Sequence, residues 1–343
     1  MIKIFIFLVF IFLTACSGIK PIQRGHTNEN VGVDLQIENQ KDSKKAEEPQ
    51  ANITKEETIR IGDNGGQVFN QIEPSITDDK IDLKKIRVGL NFGPGLNRAI
   101  NYVEVLKELE KNNIKLNVIT GNEMGAVVAA LYASGNTPEI IEWMFFKYFK
   151  EHKKSKIYSK EWIQEIDEYF LSKLRAQKIE DTEIKFYLTL YDRKTNKVYY
   201  FDKGNLRDLL LLNLRLKENP LVFKDGPEYA GAFQVETFNA KLLSGFGSDF
   251  NIAVDGLINK VSMGESNHEF VQVVLAASTR YQSEKKKFDY IINLPISEMP
   301  LDISSDTSMF VEKTHESVKK HLISLKKKIQ SKLEFINSKS NKE

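Results

Sequence analysis

The chain has 343 residues, 41% hydrophobic and 28% charged, enough for one large domain or two ordinary ones with polar additions. A formal net charge of +2 gives no global attraction to nucleic acid, which is not an expected partner. Five histidines without an HxxxH pair, and Cys16 as the only cysteine, argue against a zinc centre and an intramolecular disulfide; no metal or other cofactor is expected.

Lys3 gives a short basic start, Ile4 to Leu13 an apolar run, and Leu13-Thr14-Ala15-Cys16 follows. The run falls well short of the ~20 apolar residues that span a bilayer. This layout resembles a bacterial lipoprotein signal with its lipobox. The resemblance implies that residues 1–15 are removed and that Cys16 carries the acyl chains, palmitate among them, making the membrane a partner. Ser17 stands where an aspartate would retain the protein at the inner membrane, so the outer membrane of the cell envelope is the expected location. The plainer alternative is an ordinary cleaved signal or a chance apolar start. Residues 16–80 are rich in Asn, Gln, Glu, Lys, Asp and Thr, and 40–50 is almost wholly polar. Such a stretch buries too little apolar surface to offset its chain entropy and reads as a disordered tether.

Folded character begins at Ile81. Val88 to Phe92 reads as a buried strand feeding the loop Gly93-Pro94-Gly95-Leu96-Asn97-Arg98-Ala99. Ile100 to Glu110 has helical spacing, and Ile114 to Thr120 is a second strand. Gly121-Asn122-Glu123-Met124-Gly125 then turns the chain into a small apolar helix, Met124 to Ser134, stopped by Gly135. Thr137-Pro138 opens an unusually aromatic helix carrying Trp143, Met144, Phe145, Phe146, Tyr148 and Phe149. It either packs in the core, the commoner case, or lines a hydrophobic pocket. Trp162 to Leu174 is a further helix, and Ile184 to Leu190 with Val198 to Phe201 a hairpin. Gly204-Asn205 leads into a helix ending near Leu216. Asn251 to Val254 is a strand ending on Asp255-Gly256, followed by strands at Phe270 to Ala276 and Phe288 to Asn293. From Asp306 the pattern is helical, with 337–343 a polar tail. Alternating strands and helices predict an α/β domain over 81–336.

Gly93 to Ala99, Gly121 to Gly125 and Asp255-Gly256-Leu257, in this order, resemble the patatin-like phospholipase family. That family has a G-G-G-x-x-R-G oxyanion loop, a G-x-S-x-G nucleophile elbow and an Asp-Gly motif completing a Ser-Asp dyad. The resemblance implies a three-layer fold, a mainly parallel sheet between helical layers, with the site at the carboxyl ends of the strands. The dyad positions are Glu123 and Asp255, the oxyanion loop Gly93, Pro94, Gly95 and Arg98, and the elbow Gly121, Asn122, Met124 and Gly125.

The departures concern the chemistry. A carboxylate attacking an ester would give an anhydride, a poor intermediate for lipid hydrolysis. Pro94 has no N–H to offer an oxyanion. Ala99 and Leu257 replace small family residues, whereas Arg98 is kept. Together these predict loss of acyl-hydrolase activity.

Three readings of Glu123 follow. It plugs the remnant oxyanion hole from the helix N-terminus, paired with Arg98; it meets Asp255 as a carboxylate pair that shares a proton or binds a cation; or it has drifted and is solvated. Ser244, Ser248 and Ser278 sit on no strand-to-helix elbow and do not replace the missing nucleophile. The basic runs 285–287 and 326–328 are solvated faces, or, for the second, a contact for anionic headgroups. The functional readings left open are an inactive pseudoenzyme binding a lipid, fatty-acyl ligand or envelope protein, an acyl hydrolase with unconventional residues, and a structural or interaction protein of the envelope.

Overall fold

A computed structural model describes residues 86–152, 155–218, 220–222, 227–256, 280, 283–296, 298–299 and 307–340. The signal, Cys16 and the tether lie outside these residues, as do Leu257, the strand expected at 270–276, and Ser278.

Val88–Phe92 (β1) is buried along its whole length, as a central strand of a parallel sheet must be. A 3-10 segment, Leu96–Asn101, leads into α1 (Tyr102–Lys111), then β2 (Leu116–Gly121) and α2 (Met124–Ala133). Gly135, at φ +94, ends that excursion in a left-handed conformation natural to glycine. Next come α3 (Pro138–Glu151) and α4 (Lys160–Tyr169), the latter capped by the Ser159 hydroxyl accepting from the Trp162 N–H. The helix expected at 162–174 therefore starts earlier. It ends earlier too, with a separate 3-10 turn at Leu171–Lys173.

The expected hairpin is divided between two sheets. Lys185–Phe186 (β3) pairs in parallel with β2, whereas Leu188–Asp192 (β4) pairs antiparallel with Lys197–Phe201 (β5). Tyr187 lies at the junction, and its carbonyl accepts from the Thr120 hydroxyl of β2 at 2.8 Å. After α5 (Leu206–Asn213), β6 (Leu221–Val222) and β7 (Glu228–Gly231) complete a four-stranded sheet of order β5-β4-β7-β6. The chain continues through α6 (Ala240–Gly245), β8 (Phe250–Asp255), β9 (Tyr290–Asn293) and α7 (Ser308–Ser340). The last helix runs into the segment read as a polar tail.

The main sheet is parallel throughout, in the order β3-β2-β1-β8-β9. Side chains of a strand alternate between faces, and two apolar clusters show where each face goes. Leu90, Phe92, Ile119, Ile252 and Val254 join the larger cluster with α1, α2, α3 and α7. Val118 and Ala253, one residue out of phase, join Ala240 and Leu243 of α6 in the smaller one. The expected α/β class, a mainly parallel sheet with helices on both faces, is what the chain forms. Its carboxyl edge brings together the ends of β1, β2 and β8, and with them Gly93, Gly121 and Asp255.

Candidate functional site

The turn from β2 to α2 is sterically fixed. A Cβ on Gly121 would lie 2.5 Å from the Gly125 carbonyl, and one on Gly125 would lie 2.2 Å from the Gly93 oxygen. Both contacts are shorter than any side chain tolerates, so the two glycines let strand, helix and loop meet. The Asn122 N–H donates to the Phe92 carbonyl at 3.0 Å, and its side-chain amide to the Thr237 carbonyl at 2.6 Å. Between them Glu123 takes φ 54, ψ −127, a strained backbone for a residue with a side chain. Asn213, the last residue of α5, holds it there. Its Oδ1 accepts from the Glu123 N–H at 3.1 Å while its Nδ2 donates to the Glu123 carbonyl at 3.0 Å.

The Glu123 side chain is fully buried and turns into the loop after β1. Its Oε2 accepts from the Gly95 N–H at 3.0 Å and from the Leu96 N–H at 2.8 Å. These are the loop donors that the family resemblance would aim at an oxyanion. Pro94 lacks an N–H, yet it precedes the pair and leaves both donors in place. Leu96 itself sits at φ 46, so two neighbouring residues accept left-handed backbone to present this geometry. Oε1 is buried without a hydrogen bond. Burial pushes the carboxyl up to about 7, against the pull of the Leu96, Met124 and Gly95 N–H groups.

The structure does not pair Glu123 with Arg98. The guanidinium is buried and donates from Nε to the Met299 carbonyl at 2.6 Å and from Nη1 to the Gly256 carbonyl at 3.5 Å. Burial lowers its pKa to about 10, opposed by the nearby Tyr102 and Asp255. Arg98 therefore serves the Asp255 side of the site. Its position on the 3-10 segment turns it away from the elbow.

Asp255 ends β8 and is buried. Glu123 Oε2 is committed to the loop after β1. Tyr102 faces both charges. Its hydroxyl is pushed well above its ordinary range, first by burial, then by Asp255 and Glu123. It donates to the Pro94 carbonyl at 3.1 Å, and the ring stacks on Phe92 with centroids 4.8 Å apart. A Cβ on Gly256 would meet this hydroxyl at 2.3 Å and one on Gly95 at 2.8 Å, so both glycines make room for it. The tyrosine thus occupies the gap between the elbow loop and the Asp255 loop.

Met124 is buried at the start of α2 and packs in the main core. Ser244 and Ser248 lie at the opposite end of the sheet, where both hydrogen-bond Asn251 and Ser248 packs on Gly89. Among the described residues no group of three or more His, Cys, Asp or Glu is arranged to hold a metal ion. Sequence reasoning missed Asn213 and Tyr102. An amide closing the leucine-rich stretch 209–214 was the available signal for the first. Tyr102 looks like any apolar helix residue and gave none.

Fold and site together define an α/β protein with a glycine-hinged strand-to-helix elbow, whose apex residue is a buried glutamate bonded to the adjoining loop. No known family profile matches the chain. In three dimensions it is similar to VipD from Legionella pneumophila, at 8% identity over 69% of this chain and 67% of that one, with a TM-score of 0.44. It is also similar to the type III effector protein ExoU, at 12% identity over 72% of this chain, with a TM-score of 0.37. A further similar structure is full-length ExoU in complex with SpcU from the type III secretion system of Pseudomonas aeruginosa, at 12% identity over 71% of this chain, with a TM-score of 0.36. The chain spans about half of ExoU, 53% of its length.

Proposed function

We propose that this chain is an envelope-anchored bacterial lipoprotein whose body is a degenerate patatin-like phospholipase domain without acyl-hydrolase turnover. One observation carries the reading: Glu123 Oε2 accepts from the Gly95 and Leu96 N–H groups and so fills, from within, the place where a hydrolase would stabilise an oxyanion. No hydroxyl stands at the elbow to attack an ester, and Glu123, Asp255, Arg98 and Tyr102 are all buried. This favours a body that acts by binding or contact, on a lipid, an acyl ligand or an envelope protein. The anchor is supported by the basic start, the apolar run and Cys16. Location at the outer membrane follows from Ser17 by the same resemblance.

The test is hydrolysis of short- and long-chain acyl esters by the purified full chain, beside Asp255→Ala and Glu123→Ser. The expected result is no turnover by the native chain and no effect of Asp255→Ala. Turnover abolished by Asp255→Ala would overturn the reading, because the site would then be working with residues in other roles.

A further inference from the structure

We propose that the outward face of α3 is a membrane-contact surface, with Ile140, Trp143 and Phe146 seated among the headgroups of an anionic phospholipid bilayer and Lys147 and Lys150 pairing with the phosphates. It rests on the anchored-lipoprotein reading for a bilayer within reach, and adds the surface by which the body meets it.

The helix carries two apolar faces. Ile141, Met144, Phe145 and Tyr148 point into the core, which meets the need of an amphipathic helix to bury one stripe. Ile140, Trp143 and Phe146, three residues apart and hence on one side, remain 37%, 59% and 42% exposed. A row of this kind is where a soluble domain meets a partner. The other large exposed apolar residues among the described ones are arranged differently. Met309, Ile323 and Phe335 lie turns apart on α7, and Tyr199 and Tyr200 are consecutive on β5, so they face opposite ways.

Charge selects the partner. The Lys147 ammonium lies 5.5 Å from the Trp143 ring centroid, and Lys147 and Lys150 are exposed beside the row. In sequence, residues 147–156 hold five lysines against one acid, Glu151, although the whole chain carries only +2. Of the acids on the preceding turns, Glu142 is paired with Lys107 at 2.8 Å, and Glu139 is exposed beside Ile140, two turns before Lys147. Tryptophan with phenylalanine on one side and lysines reaching past them is the composition that settles at a lipid–water interface.

Trp143 reports on itself, because the only other tryptophan, Trp162, is buried. The lipidated full chain is reconstituted on vesicles of phosphatidylethanolamine and phosphatidylglycerol with brominated acyl chains. Expected are a blue shift of Trp143 emission, at least twofold quenching by the bromines and weak quenching by acrylamide. Lys147→Glu with Lys150→Glu should abolish all three while the protein still floats with the vesicles. Trp162→Phe isolates the signal, and the vesicle-induced difference in the native chain serves if that variant folds poorly. Native protein that floats while Trp143 stays open to acrylamide would overturn the contact face and leave the anchor standing. Flotation unchanged by Cys16→Ser would instead count against the anchor. Emission already blue-shifted without vesicles, with a dimer in solution, would assign the face to a second copy and overturn the membrane assignment.

Discussion

Asn213 grips the peptide of Glu123 at both ends, one amide group accepting from its N–H at 3.1 Å and donating to its carbonyl at 3.0 Å. The clamp reaches across 90 residues of sequence to a backbone held at φ 54. A strained φ persists only where its surroundings over-determine it, and here the Asn213 clamp adds to the loop N–H groups that hold the carboxylate and the helix N–H of Ala126 that holds the carbonyl.

Asn213→Ala removes the clamp and leaves the buried Glu123 N–H without its partner, while the Glu123 carbonyl still accepts from the Ala126 N–H at 3.1 Å. The expected loss is roughly 1–3 kcal/mol of folding stability, measured by urea unfolding. A loss under about 0.5 kcal/mol would show that the clamp does not hold this backbone.

Glu123 also sets a pH dependence. Its folded pKa, about 7, lies above the ordinary 4.5 because burial penalises the charged form. Between those values the folded chain binds a proton that the unfolded chain has released, so stability falls as pH rises. The contribution is whole below the unfolded pKa and is lost by about pH 7. The loss is about 3 kcal/mol as an order of magnitude. Half-buried Glu236, also pushed to about 7, acts in the same window. Thermal unfolding from pH 5 to 8 should show a falling midpoint, flattened in part by Glu123→Gln and further by adding Glu236→Gln. An unchanged slope in Glu123→Gln would contradict the burial of the charge.

Glycine contacts predict a sharp contrast between two alanine substitutions. At Gly125 the new methyl would lie 2.2 Å from the Gly93 oxygen, whereas at Gly245 nothing stands within 4 Å. Gly125→Ala should cost several kcal/mol, on the order of 3, or prevent folding. Gly245→Ala should stay within about 0.5 kcal/mol of the native chain. Soluble yield and melting temperature of the pair decide this.

The anchor is tested at Cys16. Metabolic labelling with a palmitate analogue should mark the native chain and leave Cys16→Ser unlabelled, with the variant released from the membrane fraction. Equal labelling of both would rule out lipidation at this cysteine.

What was legible in the sequence was local. Val88 to Phe92 forms the expected strand because a short run of apolar residues, broken only by Gly89 and Asn91 and bounded by a glycine loop, has few other uses. The elbow glycines declared themselves by spacing, since a close crossing of strand, helix and loop admits nothing larger. Partners distant in sequence were not legible. Arg98 belongs to the loop after β1, yet its guanidinium goes to the Met299 carbonyl, 201 residues away. The alternation from Ile184 to Leu190 reads as one strand, and nothing in it tells that Tyr187 marks a change of sheet. The aromatic helix was read as core or pocket lining, and α3 divides between core and solvent. A periodic pattern reports that a face is apolar without saying what covers it.

The order of strands in the main sheet has a consequence for how the protein is made. Central β1 is flanked by β2, which follows soon in the chain, and by β8, which pairs with it in parallel from Val88 against Phe250 to Phe92 against Val254 and lies far along the sequence. One side of β1 therefore stays open until most of the polypeptide has left the ribosome, and closing so long a loop is slow. A nascent chain with an unfinished sheet remains threadable, which is the condition that the proposed export route demands of its cargo.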